Sequence, residues 1–475
     1  MRPCAPRRTA GVRPQGGRPP SGMQVRAIHP LQYLLWVPAA AAGVFGAWLA
    51  LESSAVAVLA LFVLIGALGI VVLRPVPALA LLVFTRFSFE MFWEQRVYGF
   101  SVLDFLGAGV PVAVLLSIFL ARPRFAHMPL ARPILAWATI VWISAVVFII
   151  VGGDSRPVLE NTLRYTCGVP IFLLTVMVVT DFEHAWKLLR LWLLGAVPVA
   201  IIFYGYGERL AMEYHGVVRQ KALYHDVVTP AVVGCMSMLI ALFLLGLGWM
   251  RRWRPHWILA LLLCAVLFGR LVYLTFHNAL AGVAFLGVAT FLFLRRRFGM
   301  LACLLVFFVG LSQVERVQQR WWREIAILEG EQDPIAFASG RPNQWRFYLG
   351  RFLEMERMDQ CLGVHGTWGD PENQFLQLLG DLGPVVGLYT VGVVMWILWT
   401  IYRWAKQEVD PERKLFFHFV VAVLVGSGAA WLTATPLTYS NFQWFLFCLV
   451  GLAVAVRLHS ERTTSDAVTA AKAFA

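Results

Sequence analysis

RRWRPHWILALLLCAVLFGRLVYLTFHNALAGVAFLGVATFLFLRRR, residues 251–297, decides the fold. Its two apolar runs, about 257–276 and 279–295, are each long enough to cross a bilayer as a helix. In hydrocarbon every backbone N–H and C=O must be paired within the segment, so such runs fold as helices. The turn His277-Asn278 separates them, and arginine triplets stand at both ends: Arg251, Arg252 and Arg254 before, Arg295, Arg296 and Arg297 after. Lys and Arg stay on the cytoplasmic side, so this hairpin enters and leaves from the inside and turns at His277 and Asn278 outside.

Runs of the same kind fill most of the chain: about 31–51, 53–73, 75–94, 100–121, 132–152, 158–180, 184–205, 228–249, 298–314, 382–403, 415–433 and 440–457. With the opening pair they make roughly 14 crossings. The weakest are 75–94, with Arg86 and Glu90, and 158–180, with Glu160 and Arg164; without that pair roughly 12 remain and sidedness is unchanged. The gaps alternate. Arg74, then Arg122, Arg124 and Arg132, the two triplets above, and Arg403, Lys406, Arg413 and Lys414 mark the inner set. The outer set holds carboxylates, histidines, asparagines and the two longest loops. The expectation is an all-α polytopic membrane protein with roughly 12–14 transmembrane helices, both termini inside, and a large helical outer loop.

Composition agrees. A hydrophobic share of 59%, 14% charged residues and a mean hydropathy of +0.69 exclude a soluble domain of this length. The net charge of +13 sits mainly in the inner loops and the N-terminal tail, where it sets topology and attracts anionic membrane lipids; no nucleic acid is expected as a partner. Of Cys4, Cys167, Cys235, Cys264, Cys303, Cys361 and Cys448, only Cys361 falls in an outer loop, so no disulfide framework is expected. No Cys/His cluster has ligand spacing, and neither a metal nor a cofactor is expected. There is no inverted repeat of the kind common in secondary transporters.

Residues 1–29 are rich in Arg, Pro and Gly and read as a disordered basic cytoplasmic tail, with Met23 a second candidate start. Residues 30–314 form a first transmembrane bundle carrying the outer loop 206–227, and 315–381 are the large outer loop. Residues 382–457 are the closing helices, and 458–475 a cytoplasmic tail. Within the large loop, VERVQQRWWREIAIL has helical apolar spacing and tryptophans suited to an interface. NQWRFYLGRFLEM places Trp345, Leu349 and Phe352 on one face. LGVHGTWG reads as loop; DPENQFLQLLGDLG reads as helix, with Asp370 as N-cap and Pro371 as first helical residue.

Arg164 and Arg270 lie inside apolar runs near their outer ends, where a charge is costly and faces a cavity or a partner. With Arg209, Arg219, Lys221 and Arg341 they would build an outward cationic pocket; Arg suits a diphosphate because its planar fork bonds bidentately. Arg164 also stands four residues after Glu160, the spacing of a helical ion pair. His277 and Asn278 are candidate polar contacts to sugar or phosphate, or simply turn residues. Asn373 and His225 are candidate positioning residues, with His215 an outsider. Two residues are candidate general bases: His365, in a Gly-flanked loop, and Glu372, whose place in a first helical turn would also be explained by the helix dipole.

The chain resembles the O-antigen ligase and O-antigen polymerase superfamily of membrane glycosyltransferases. The resemblance rests on Ser339-Gly340-Arg341 followed by Trp345, then Leu362-Gly363-Val364, then Glu372-Asn373-Gln374-Phe375-Leu376-Gln377-Leu378-Leu379 ahead of Asp381-Leu382-Gly383 and Gly387. Arg219, Ala222-Leu223-Tyr224-His225 and Pro230 fit the first outer loop, and LTFHNALAG (274–282) a family hairpin. Glu372 stands where the family has His, and His277-Asn278 where it has Ser-Arg, with Arg270 two turns earlier. These departures favour a polymerase over a ligase.

The resemblance implies an inverting, metal-independent transferase in the bacterial inner membrane, with its active site facing the periplasm. The donor would be a glycan on undecaprenyl diphosphate, held by Arg164, Arg219, Arg270 and Arg341. The acceptor would be a growing glycan, or lipid A-core for a ligase, entering near His365 and Glu372. A chain-length regulator or a flippase would be further partners. A transporter of a polar lipid or sugar is the rival of another class; it expects charges near mid-membrane, whereas here they gather at the outer ends.

Overall fold

The computed structural model describes residues 72–89, 96–97, 100–121, 128–206, 211–214, 217–220, 228–314 and 341–474, with 66, 69 and 318 besides and without 276, 367 and 433. The N-terminal tail, the span 31–51, nearly all of 53–73 and nearly all of the interfacial helix expected over 314–328 lie outside them. So do Arg209, His215, Lys221 and His225.

In chain order the elements are α1 (Pro75–Phe89), β1 (Arg96–Val97), β2 (Phe100–Ser101), α2 (Val102–Ala121), α3 (Ala131–Ile150), α4 (Ser155–Thr166), α5 (Gly168–Val178) and α6 (Phe182–Tyr206). Then come β3 (Ala211–Tyr214), β4 (Val217–Gln220), α7 (Val228–Met250), α8 (Pro255–Thr275), α9 (Asn278–Leu294) and α10 (Phe298–Ser312). The chain closes with α11 (Arg341–Glu354), α12 (Arg357–Leu362), α13 (Gln374–Gln407), α14 (Pro411–Ala430), a 3-10 turn (Pro436–Thr438) and α15 (Ser440–Phe474). The strands make two small antiparallel hairpins, and every other regular element among the described residues is a helix. Among the described residues eight helical segments are long and apolar enough to span a membrane: α3, α4 with α5, α6, α7, α8, α13, α14 and α15. Shorter apolar helices are α1, α2, α9 and α10. The protein is an all-α polytopic membrane protein.

α7 and α15 are the most enclosed helices, whereas α3, α8 and α13 turn one face outward; Leu262, Leu263 and Val266 on α8 are exposed. Such apolar outward faces suit a lipid solvent, where burial of apolar surface does not drive helices together and close packing must. At the α9–α14 crossing a Cβ on Gly426 would meet Val283 O at 2.6 Å, so only glycine allows that approach.

The loops sort to two ends. At one end Arg251 bridges Glu183 (2.6 Å) and Glu412 (2.5 Å), joining the end of α7 to the starts of α6 and α14. Arg413 lies 3.6 Å from Glu408 at the same end. The other end of α14, about 30 Å away at 1.5 Å per residue, leads into the 3-10 turn and meets the start of α13 through Gln374 N to Trp431 O (2.8 Å) and Leu437 N to Gln374 Oε1 (2.8 Å).

Three local readings change. Helix α13 starts at Gln374, not Pro371: Asn373 is its N-cap and accepts from Phe375 N and Leu376 N, while Asp370 Oδ1 accepts from Glu372 N in the preceding turn. Glu372 therefore lies outside the first helical turn, with φ of 48°. Glu160 pairs with Arg156 (3.1 Å), not with Arg164. The packed face of α11 is Tyr348 and Phe352, which lie against buried Trp368; Leu349 is exposed.

Candidate functional site

A polar cavity of about 260 Å³ lies where these outer-set segments converge. Helix α4 contributes Pro157, Glu160, Asn161 and Arg164; the loop before α13 contributes Gly366, Gly369 and Asp370; α13 contributes Gln377; and the segment after α14 contributes Thr435 and Thr438. The 160/164 spacing puts Glu160 and Arg164 on one face of α4. With Glu160 taken by Arg156, the Arg164 guanidinium is exposed to the cavity, and among the described residues it has no side-chain ion pair.

The cavity floor is pinned by Asp381. Its carboxylate accepts from Tyr165 Oη (2.9 Å), Gln377 Nε2 (2.6 Å) and Gly366 N (3.1 Å), joining α4, α13 and the loop. The loop backbone pairs there too: Val364 N to Gly380 O (2.8 Å) and His365 N to Asp381 O (3.0 Å). Gly363 and Gly383, at φ of 77° and 72°, make this seating possible. A Cβ on Gly363 would strike Asp381 O, and one on Gly383 would strike Cys361 O. Gly383 also breaks α13, at the point where the sequence starts the span.

Asp370 opens into the cavity, and its Oδ1 accepts from Glu372 N (2.9 Å) and Thr435 Oγ1 (3.4 Å). The walls around it raise its pKa above the usual carboxylate range; the nearby Glu372 charge adds to this, while its hydrogen bonds and Arg341 oppose it. Arg341 Nη2 sits 2.8 Å from Glu372 Oε2, so these two candidates form an ion pair beside the cavity. His365 is 0% exposed and turns away from the cavity: its Nε2 lies 3.2 Å from Ser144 Oγ and its ring packs on Phe148. Burial lowers its pKa to about 4.

The other candidates are spread out. The Arg270 guanidinium lies 5.7 Å from the ring centroid of Tyr204, does not line the cavity, and belongs to the α6–α8 side of the bundle. His277 is the N-cap of α9, its Nδ1 accepting from Leu280 N (3.4 Å). The Asn278 side chain lies outside the described residues; its backbone starts α9. Arg219 is on β4 with Met212 as its backbone partner, and its side chain lies outside the described residues. Asn373 is spent as a cap, its Nδ2 donating to Leu432 O (3.3 Å).

Sequence reasoning missed Asn161, Gln377, Thr435, Thr438, Asp381 and Tyr165. Their signal is polarity at the ends of apolar runs, in Asn161 and Tyr165 before the apolar part of 158–180 and in Gln377 and Asp381 before 382–403. It also took Arg86 as weakening a span; the structure buries Arg86 between α1 and α15, with Nη2 donating to Ser440 Oγ (2.8 Å) and the guanidinium 5.0 Å from the Trp444 ring centroid. The chain matches no protein-family model, and no curated protein matches it.

Proposed function

We propose that this chain is an inverting, metal-independent glycosyltransferase. It would move a glycan from undecaprenyl diphosphate to a sugar hydroxyl at the periplasmic face of the bacterial inner membrane, as a polymerase of surface polysaccharide. One observation supports this reading most: a polar cavity and an apolar one border the same short stretch of chain. The second cavity, about 310 Å³, lies between α3, α13, α14 and α15 and is lined by Trp137, Phe375, Trp431, Leu437 and Phe447 among others. The two share the segment 431–438, which turns Trp431 and Leu437 to the apolar side and Thr435 and Thr438 to the polar side. That arrangement suits an amphiphile with a diphosphate headgroup and an isoprenoid tail. Arg164 meets the charge that develops on a leaving diphosphate, which needs cationic stabilisation rather than protonation. Anchoring the donor in the same membrane supplies orientation.

The test is the lipid-linked glycan profile of cells lacking the chain, complemented with wild type or with Arg164→Ala. Single repeat units on undecaprenyl diphosphate should accumulate in the deletion and the Arg164→Ala strain and disappear with wild type. Long lipid-linked chains would instead make the protein a ligase. No accumulation would overturn the transferase reading and favour a transporter.

A further inference from the structure

The polar cavity holds acceptor atoms that its own residues leave unused. Asp370 commits Oδ1 to Glu372 N and Thr435 Oγ1, and among the described residues its Oδ2 accepts nothing. Gln377 is 5% exposed and gives Nε2 to Asp381, which leaves its Oε1 buried and without a partner. A buried acceptor left unmade costs about 1–3 kcal/mol, so Gln377 Oε1 marks where a ligand donor belongs, and the exposed Asp370 Oδ2 lies open on the same cavity. Both atoms belong to residues lining the cavity that Arg164 enters from α4. A space with a cation on one wall and spare acceptors on others fits a phosphate ester beside a hydroxyl.

The geometry also ranks the possible bases. Glu372 is held in an ion pair with Arg341 at 2.8 Å, so its carboxylate already has a partner. His365 is turned onto Ser144 and Phe148, and neither it nor Glu372 lines the cavity. Asp370 lines the cavity and its Oδ2 accepts nothing among the described residues, and it makes no ion pair there, whereas the other lining carboxylate, Glu160, gives one oxygen to the Arg156 cation.

We infer that Asp370 is the general base of the transfer and that its Oδ2 and Gln377 Oε1 together hold the acceptor sugar hydroxyl. This rests on the glycosyl-transfer reading above. The hydroxyl oxygen forms a bond to the anomeric carbon of the donor while its proton passes to Asp370. The bond from that carbon to the diphosphate oxygen breaks, and the lipid diphosphate leaves with the electron pair towards Arg164. The configuration inverts, and Asp370 returns its proton to water. The direction in which the Asp370 pKa moves, upward from its ordinary value, is in keeping with that place in the lining.

The experiment uses full-length protein in lipid nanodiscs, with Asp370→Asn and Asp370→Glu beside wild type. Binding of undecaprenyl diphosphate is measured on each, and glycan transfer is measured in cells carrying each. Asparagine keeps an oxygen for Glu372 N and Thr435, so the turn is preserved while the base is lost. Asp370→Asn should bind undecaprenyl diphosphate within about twofold of wild type yet transfer at least about 100-fold more slowly, the range of a lost general base. Asp370→Glu should recover part of the rate. Transfer near the wild-type rate by Asp370→Asn would overturn the inference and leave the transferase reading standing. A matching loss of binding and transfer would overturn it too, by making Asp370 structural. Wild type that neither binds undecaprenyl diphosphate nor forms product would sink the transferase reading itself.

Discussion

Replacing Asp381 tests whether the cavity floor is held as the hydrogen bonds suggest. Asp381→Ala strands three donors at once: Tyr165 Oη, Gln377 Nε2 and Gly366 N. A buried donor left unsatisfied costs about 1–3 kcal/mol. At the low end of that range for each of the three donors the total is about 3 kcal/mol. Asp381→Asn is different. Its Oδ1 still serves Gly366 N, its Nδ2 can donate to Tyr165 Oη, and Gln377 can turn its amide to offer the Oε1 that now lacks a partner. That substitution should cost about 1 kcal/mol, the net worth of one exchanged hydrogen bond. Equilibrium SDS titration in mixed micelles, followed by tryptophan fluorescence, reads both numbers. The alanine variant should also expose the loop 363–373 to protease. If alanine and asparagine fall within about 0.5 kcal/mol of each other, the scatter of ordinary surface substitutions, Asp381 does not hold the loop and the reasoning fails.

Two further outcomes follow from the same region. Arg341→Ala and Glu372→Gln should each cost about 1 kcal/mol, as expected for a partly exposed pair, and the double variant should lose little more than either; additive losses in a double-mutant cycle would show that the pair is not coupled. For His365 the folded pKa of about 4 lies below its ordinary value near 6.5, so the unfolded chain binds the extra proton between those values. Stability is then full above about pH 6.5 and falls as pH drops towards 4, by about 3 kcal/mol at most; His365→Gln should flatten that limb, and an unchanged pH slope in the variant would assign it to other groups.

The helices were legible because hydrocarbon allows few solutions: an apolar run near 20 residues long must be helical, and each run expected from residue 75 onward corresponds to a helix, or for 158–180 to the pair α4 and α5. The start of α13 was not legible. Asp370-Pro371 is a strong local helix signal, yet Gln374 N is drawn to Trp431 O and Asn373 Nδ2 to Leu432 O, contacts with a segment about 60 residues away that no local pattern displays. The three-residue shift takes Glu372 out of the helix and puts Asp370 on the cavity. His365 misled for a related reason. Its flanking glycines looked like a flexible, accessible loop, but Gly363 at φ of 77° is what lets that loop lie flat on α13 and drive the imidazole inward. Arg164 could be chosen from its depth alone, whereas Arg270 has the same depth and a different neighbourhood, which depth does not encode.

The chain is irregular where α4 gives way to α5 at Cys167, where α13 breaks at Gly383, and along 431–438. Non-helical backbone near membrane depth is tolerated only where protein or a cavity satisfies it. Most of the polar side chains here serve that need. Gln443 Nε2 donates to Arg164 O (2.6 Å) and to Leu437 O, Asp381 takes Gly366 N, and Gln374 Oε1 takes Leu437 N. These groups are consumed in holding the breaks open and would be needed whatever the cavity bound. Subtracting them leaves the Arg164 guanidinium, Asp370 Oδ2 and Gln377 Oε1 among the cavity groups whose hydrogen-bonding capacity is unused, beside the buried Asn161 Nδ2. Breaks of this kind are costly to maintain in a membrane, and the atoms left over after that cost is met are the ones a substrate has reason to find.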